Sequence, residues 1–156
     1  MGMEQKTQIN AEEGRQDLVI TREFDLPLEL LFKAFVEAEF VEQWMGTKVV
    51  KLDSKKHGSY QFETIDHRGN KHGFSGVFHE VSPNRKITRT FEMDNTPYGV
   101  QLEFYSFEEL TSDTSRLNMH VIYESVGQRD QVLQLPFKQG LNMAHNRIQD
   151  ILGKLK

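Results

Sequence analysis

Histidine is the residue type in this 156-residue chain best suited to acid–base or metal chemistry near neutral pH, and the sequence has six. His67 and His72 flank a turn at residues 68–71, and neighbouring Asp66 brings them close to a two-histidine, one-carboxylate metal set. Hairpin ends are exposed to solvent, and no third ligand stands at a diagnostic spacing. We therefore predict surface histidines and no metal site here, and we interpret His57 in the same way.

His79 is a candidate for orienting a ligand or for moving a proton, because an imidazole both gives and takes a proton near neutral pH. Pairing the strands around the preceding turn places it opposite Tyr60, on a face shared with Phe62 and Val77. The neighbouring Phe78 is an equally good candidate for that face, and adjacent residues on a strand cannot both point to it. Whether His79 contacts a ligand or is a structural histidine with satisfied hydrogen bonds stays open at this point.

His145 flanks the apolar stripe of a predicted C-terminal helix, one helical turn from Leu141 and Ile148. We interpret it as a boundary histidine that is hydrogen-bonded to solvent or to a carboxylate. The functional alternative places it at the mouth of a cavity. Gly140, in the first turns of the same helix, indicates close packing against a neighbour, because a glycine there otherwise weakens the helix.

Other signatures of catalysis are absent from the sequence. The chain has 0 cysteines, which excludes disulfides, thiol nucleophiles and thiolate metal ligands. There is no Gly-x-Ser-x-Gly elbow and no glycine-rich nucleotide loop. The neighbouring acids Glu108 and Glu109 fall on opposite faces of a strand, so they do not form a catalytic pair. We assign no catalytic residue and no cofactor.

The strongest chemical feature is an excess of aromatic residues, with 11 Phe, 4 Tyr and 1 Trp. Small-molecule pockets are mostly apolar with a few polar groups that fix orientation, and the same side chains equally suit a filled core. Trp44 is predicted to be a structural anchor whose ring is buried and whose indole N–H has a partner, with ligand contact as the alternative. The candidate ligand-binding residues are Trp44, Tyr60, Phe62, Phe78, His79, Phe91, Met93, Leu102, Phe104, Met119, Tyr123, Phe137, Leu141 and His145.

Composition excludes several function classes. No run approaches the roughly 20 apolar residues of a membrane span, and the formal net charge of -4 gives no attraction for nucleic acid. Residues 1–17 are polar and lack the order of a signal peptide, so we expect a cytoplasmic protein. We predict a disordered tail over residues 1–16 and a single domain over residues 17–156.

Hydrophobic periodicity predicts one strand, two short helices, six strands and a long helix. The first strand covers residues 17–24, and the helices cover residues 27–38 and 39–44, closing on Gly46. Leu117, Met119, Val121 and Tyr123 are expected to face inward from the last strand. The later elements are strands at 48–52, 59–66, 72–81, 86–93, 100–110 and 115–125 and a helix over 137–155. This is an α+β fold in which a curved antiparallel sheet grips a helix.

Five segments follow one another along the chain: Asp25-Leu26-Pro27, Glu42-Gln43-Trp44-Met45-Gly46, Gly58-Ser59, the run at 76–85 and the run at 140–152. As an ordered set they resemble the homologues of the heat-shock-protein-90 ATPase activator, of the START-like, birch-pollen-allergen-like helix-grip superfamily. The resemblance implies a cavity between the sheet and the last helix. Ser59 stands where relatives often have a second glycine, Leu141 where they have Trp, and His145 and Asn146 where apolar and acidic residues are common.

These observations lead to one main hypothesis, the binding of a hydrophobic small molecule between the sheet and the C-terminal helix by a monomer or weak homodimer. One alternative is a co-chaperone or stress-response protein acting on a heat-shock-protein-90 homologue. Nothing in the residues before Asp17 replaces the chaperone-contacting domain of the eukaryotic co-chaperone. The other alternative is a cyclase-like or hydrolase-like enzyme on the same scaffold.

Overall fold

A computed structural model describes residues 6–156 of the protein. The strands are β1 (Gln8–Asn10), β2 (Asp17–Phe24), β3 (Lys48–Leu52), β4 (Ser59–Ile65), β5 (Lys71–Ser82), β6 (Lys86–Met93), β7 (Val100–Thr111) and β8 (Thr114–Ile122). The helices are α1 (Leu28–Val36), α2 (Ala38–Met45), α3 (Val126–Gln134) and α4 (Phe137–Gly153).

The strands form one curved antiparallel sheet in the order β1-β2-β8-β7-β6-β5-β4-β3. Strict alternation in β2 and β8 defines its two faces, since Leu18 pairs with Val121 and Ile20 with Met119, and all four are buried. We call this buried side the inner face and the opposite side the outer face. The α+β helix-grip prediction is confirmed.

The helices cover the inner face through aromatic contacts. The Phe32 ring of α1 lies 5.0 Å from the Phe107 ring of β7, edge to face, and Phe35 contacts Tyr105 at 5.5 Å. On β2, the Phe24 ring lies 5.7 Å from that of His145 in α4. The buried stripe of α4, which consists of His145, Ile148 and Leu152, therefore packs into the core beside Phe24 and the first two helices.

Three elements differ from the sequence prediction, since β1 and α3 are additional elements and β8 is shorter than predicted. Residues 8–10 of the tail predicted to be disordered form β1, because they pair with Val19, Ile20 and Thr21 at the edge of the sheet. The prediction for residues 1–5 lies outside the described residues. The last strand ends at Ile122 rather than at residue 125, because Ser125 caps α3 by accepting a hydrogen bond from the backbone N–H of Gln128 at 3.1 Å.

Gly140 also differs from its prediction. A Cβ atom built there meets nothing within 4 Å, and the residue is exposed, so the glycine makes no close approach to a neighbour. Close packing in α4 occurs further along the helix, at Ile148 and Leu152, which are fully buried.

Candidate functional site

A polar cluster lies inside the apolar inner face, between β6 and β7. The Arg89 Nε donates to Glu103 Oε1 at 2.8 Å, and Arg89 Nη2 donates to the Tyr105 hydroxyl at 2.7 Å. That hydroxyl in turn donates to Glu103 Oε1 at 2.9 Å. From the edge of the cluster, Gln101 Nε2 donates to Glu103 Oε2 at 2.7 Å. The carboxylate and the guanidinium therefore neutralise each other away from water.

Tyrosine rings enclose the guanidinium of this cluster. The Arg89 Cζ lies 4.7 Å from the centre of the Tyr60 ring and 5.0 Å from that of Tyr105, both within cation–π range. Burial acts to lower the pKa of Arg89, but its neighbours Tyr105, Tyr60 and Glu103 outweigh burial and raise it. Burial raises the pKa of the Tyr105 hydroxyl well above its ordinary value. At physiological pH the cluster thus holds one cation, one anion and neutral phenols.

Tyr60 is fixed by its neighbour across the strand pair. Its hydroxyl donates to the backbone carbonyl of Thr90 at 2.5 Å, and Gly76 is its partner in the β4–β5 pairing. A Cβ atom on Gly76 would collide with the Thr90 carbonyl and the Tyr60 hydroxyl, so only glycine leaves room for this contact. The position of Tyr60 under Arg89 therefore depends on Gly76.

The Tyr123 hydroxyl is a buried polar atom that has no hydrogen-bond partner among residues 6–156. The residue is 2% exposed and follows β8 directly. Burial raises the pKa of this hydroxyl; the charge of Glu103 raises it further and that of Arg129 lowers it. Tyr123 is therefore a protonated donor, within electrostatic reach of two charged groups, whose hydrogen bond is left unmade.

Most of the predicted lining residues lie on the inner face. Five of them are buried in the core, namely Tyr60, Phe62, Phe78, Met119 and Tyr123. Phe91, Phe137 and Leu141 are half-buried and pack against that core, and Met93 shares the inward alternation of Ile87, Arg89 and Phe91. The inward orientation expected for Leu117, Met119, Val121 and Tyr123 is found.

Leu102 and Phe104 lie on the outer face instead. They alternate with Glu103, Tyr105 and Phe107, which are the buried residues of β7. The ring of Phe104 lies 6.1 Å from that of His120, its partner on β8. Both alternations of β7 contain apolar side chains. The buried one is the alternation that includes Glu103, whose carboxylate pairs with Arg89 in the core.

His79 is exposed and does not reach the inner face. The inward alternation of Phe74, Gly76 and Phe78 ends at a β-bulge between Phe78 and Glu80, and Val81, the partner of buried Ile87, is the next residue that packs against the core. The His79 ring lies 5.9 Å from that of His57, edge to face, outside the core. The alternation that includes Phe78 is therefore the one that faces inward before the bulge.

Trp44 connects α1 and α2. Its indole Nε1 donates to the backbone carbonyl of Ala34 at 2.7 Å, and its ring meets Phe35 edge to face at 5.3 Å. This arrangement confirms the predicted anchor.

His145 belongs to a second buried polar cluster, which joins the N-terminal segment to α4 and which we call the N-terminal clasp. Its Nδ1 lies 2.6 Å from the Thr7 hydroxyl. Arg22 donates from Nη2 to Asn146 Oδ1 at 2.9 Å and from Nη1 to Asn142 Oδ1 at 3.3 Å. Burial and the charge of Arg22 lower the pKa of His145 to about 3, so the imidazole is neutral. His145 is thus fully buried rather than at a solvent boundary.

The histidines of the β4–β5 hairpin lie at the surface. His72 Nε2 lies 2.9 Å from Asp66 Oδ2, and this hydrogen bond lowers the pKa of Asp66 to about 2, together with backbone N–H donors. His67 is exposed. In the part of the chain that the structure describes, no group of three or more His, Asp or Glu side chains is placed to hold a metal ion.

A shallow depression of about 390 Å³ lies on the outer face across β4, β5 and β6. Its walls include Ser59, Gln61, Ser75 and Glu92, and it opens to solvent. Tyr60, Gly76 and Thr90, whose contact holds Tyr60 in place, also line this depression. Of the helices between residues 6 and 156, none is long and apolar enough to cross a membrane.

The curved antiparallel sheet and the C-terminal helix that it grips define a helix-grip protein. The family of Activator of Hsp90 ATPase homolog 1-like proteins matches residues 25–153, and the chain belongs to this family. No curated protein matches the sequence.

Solved structures of bacterial proteins share the fold. A protein from Rhodobacter sphaeroides superposes with a TM-score of 0.85 at 19% identity, covering 96% of this chain and 99% of its own. Protein Ms6760 from Mycobacterium smegmatis gives 0.84 at 21% identity, covering 94% and 96%. A protein from Arthrobacter aurescens gives 0.85 at 14% identity, covering 94% and 91%.

The sequence prediction missed the charged members of the inner face, Arg89, Glu103 and Arg22. A signal for Arg89 was present, because it lies between Ile87 and Phe91 on one alternation of β6. A charged residue at the centre of an apolar alternation needs a buried partner of opposite charge. No comparable signal marks Thr7, which meets His145 only in the folded chain.

Proposed function

We propose that this protein binds a mostly apolar small molecule between the inner face of its sheet and helix α4. The observation that carries the proposal is the unpartnered, buried hydroxyl of Tyr123 beside the neutralised Arg89–Glu103 pair. Buried polar groups in native proteins are nearly always hydrogen-bonded, and exceptions call for a ligand, a water or a functional reason. The family's helix-grip scaffold, which is suited to ligand binding, supports the proposal in general terms.

Apolar side chains supply the affinity in this proposal. Phe74 and Phe91 stack at 5.7 Å on the inner side of β5 and β6 and remain half-buried, as do Phe137 and Leu141 at the start of α4. Covering their exposed surface with a ligand contributes about 25 cal/mol per Å² of apolar area removed from water. We propose these four residues as the entrance and Tyr123 as the polar group inside the site.

The buried charges favour binding over catalysis. Arg89 and Glu103 are tied to each other and to Tyr105, so neither is free to carry a proton to or from a substrate. A chaperone partner, a monomeric or weakly dimeric state and a cytoplasmic location accompany the proposal as expectations from the family and the composition.

A binding measurement on two variants of α4 tests the proposal. The probe is N-phenyl-1-naphthylamine, a neutral fluorophore, titrated into wild-type protein, Leu141→Ala and Met143→Ala. Leu141 packs against the core, whereas Met143 lies on the same helix at 47% exposure, so it is the matched control. We expect Leu141→Ala to weaken probe binding severalfold, with a smaller loss of stability, and Met143→Ala to change neither.

Saturable binding that Leu141→Ala weakens supports the proposal. Binding that is absent, or that both variants leave unchanged while Leu141→Ala lowers stability alone, argues for a closed core and against it.

A further inference from the structure

The charges around Tyr123 are balanced on both sides. Glu103, which raises the pKa of Tyr123, is paired with Arg89 at 2.8 Å. Arg129, which lowers it, is paired with Asp130, since Arg129 Nη2 lies 3.0 Å from Asp130 Oδ1. Arg129 Nη1 also donates to the backbone carbonyls of Glu12 at 2.7 Å and Asp17 at 3.0 Å. Both Glu103 and Arg129 therefore already have a partner of opposite charge before any ligand binds.

An ionised ligand would enter this site without a counter-charge. A carboxylate placed beside Tyr123 would face the Glu103 carboxylate, and the nearest guanidinium groups already have anionic partners. An ammonium group would face the same guanidinium groups. Moving an isolated charge out of water into such surroundings is strongly unfavourable unless it is paired.

The hydrogen-bonding requirement points to an acceptor. The Tyr123 hydroxyl stays protonated at physiological pH, because burial raises its pKa, so it has a hydrogen to donate. A carbonyl or ether oxygen accepts such a hydrogen bond and carries no charge. A pure hydrocarbon would leave the hydroxyl unpaired, as it is in the protein by itself.

From these points we infer that the site takes neutral, mostly apolar molecules whose carbonyl or ether oxygen accepts a hydrogen bond from Tyr123. The inference rests on the proposed function and adds the class of ligand. Fatty-acid anions and amines are disfavoured by the balanced charges, and hydrocarbons by the unsatisfied hydroxyl.

Displacement of N-phenyl-1-naphthylamine at pH 7.5 by three probes of similar length tests this class. Methyl decanoate is neutral and has a carbonyl, decanoate is its anion, and undec-1-ene has no acceptor. We expect methyl decanoate to bind at least about tenfold more tightly than decanoate and about fivefold more tightly than undec-1-ene. The second ratio corresponds to one net hydrogen bond.

Tyr123→Phe removes the hydroxyl and keeps the ring. We expect it to abolish the advantage of methyl decanoate over undec-1-ene while leaving undec-1-ene affinity and the melting temperature unchanged or higher, since an unsatisfied buried hydroxyl is lost. Tyr98→Phe is the matched control, because Tyr98 is a half-buried tyrosine that packs against the same core. It should preserve the preference.

The outcomes separate the two proposals. Decanoate binding as tightly as methyl decanoate, or a preference that survives Tyr123→Phe, overturns the ligand class and leaves the proposed function standing. A protein that binds neither the fluorophore nor any of the three probes overturns both.

Discussion

The hydroxyl oxygen of Thr7 lies 2.6 Å from Nδ1 of His145, which joins the segment before the first strand to the middle of the last helix. The backbone N–H of Thr7 also donates to Asn142 Oδ1 at 3.0 Å. His145 and Asn142 of α4 thus contact an N-terminal segment that the sequence prediction treated as a tail.

Acid should weaken the protein through His145. The pKa of this buried imidazole is lowered from 6.5 to about 3 by burial and by the charge of Arg22. Between these two values, His145 is protonated in the unfolded chain and neutral in the folded chain. The free energy of unfolding therefore falls with falling pH between about 6.5 and 3, by about 2 kcal/mol from pH 7.5 to pH 5.

Urea denaturation of wild type, His145→Gln and His67→Gln at pH 7.5 and pH 5 measures this effect. His67 is exposed and serves as the control. His145→Gln should lose about 2 kcal/mol of the wild-type pH dependence, and His67→Gln should keep it. If the free energy of unfolding changes by the same amount between the two pH values in all three proteins, His145 does not have the lowered pKa.

Breaking the Arg89–Glu103 pair should be strongly destabilising, because it leaves an uncompensated charge in the core. We expect Glu103→Gln to lower the free energy of unfolding by about 3–5 kcal/mol. The control is the exposed carboxylate of Glu108, which pairs with Arg116 at 3.2 Å. Glu108→Gln should change the free energy of unfolding by less than about 1 kcal/mol.

A double-mutant cycle with Arg89→Met and Glu103→Leu checks the coupling. The double variant should lose less than the sum of the two single variants, because it removes both charges together. Additive losses would contradict the direct pairing of the two side chains.

Two glycine-to-alanine substitutions should act in opposite directions. Gly76→Ala places a Cβ against Thr90 and Tyr60, so it should destabilise the protein by about 1–3 kcal/mol. Gly140→Ala has free space around it and lies within α4, so it should stabilise the helix by about 0.5–1 kcal/mol. Thermal unfolding of both variants decides the point, and a stabilising Gly76→Ala would disprove the close contact.

The period-two patterns of β2 and β8 were readable from the sequence, because apolar and polar residues alternate there without conflict. Strand β7 was predicted, but its inward face was assigned wrongly, since Leu102 and Phe104 compete with Tyr105 and Phe107, and the buried alternation includes Glu103. Helix α3 has no apolar stripe and is held by buried Arg129 bonding to distant carbonyls. Such long-range polar contacts have no local sequence signal.

The candidate site was predicted in outline and not in its chemistry. Aromatic content indicated Tyr60, Phe62, Phe78 and Tyr123 as inner residues, and the structure places them there. The aromatic content gave no indication that the Tyr123 hydroxyl would lack a hydrogen-bond partner, because the presence of a partner depends on which neighbours the folded chain brings near.

Native mass spectrometry of freshly purified protein, followed by denaturation and analysis of what is released, tests the central claim most directly. We expect an additional mass that stays with the folded 18.2 kDa chain and leaves on unfolding, from a neutral and mostly apolar compound. The Leu141→Ala variant should carry less of it. A bare chain mass from every preparation, together with no uptake of added methyl decanoate, would contradict ligand binding on the inner face.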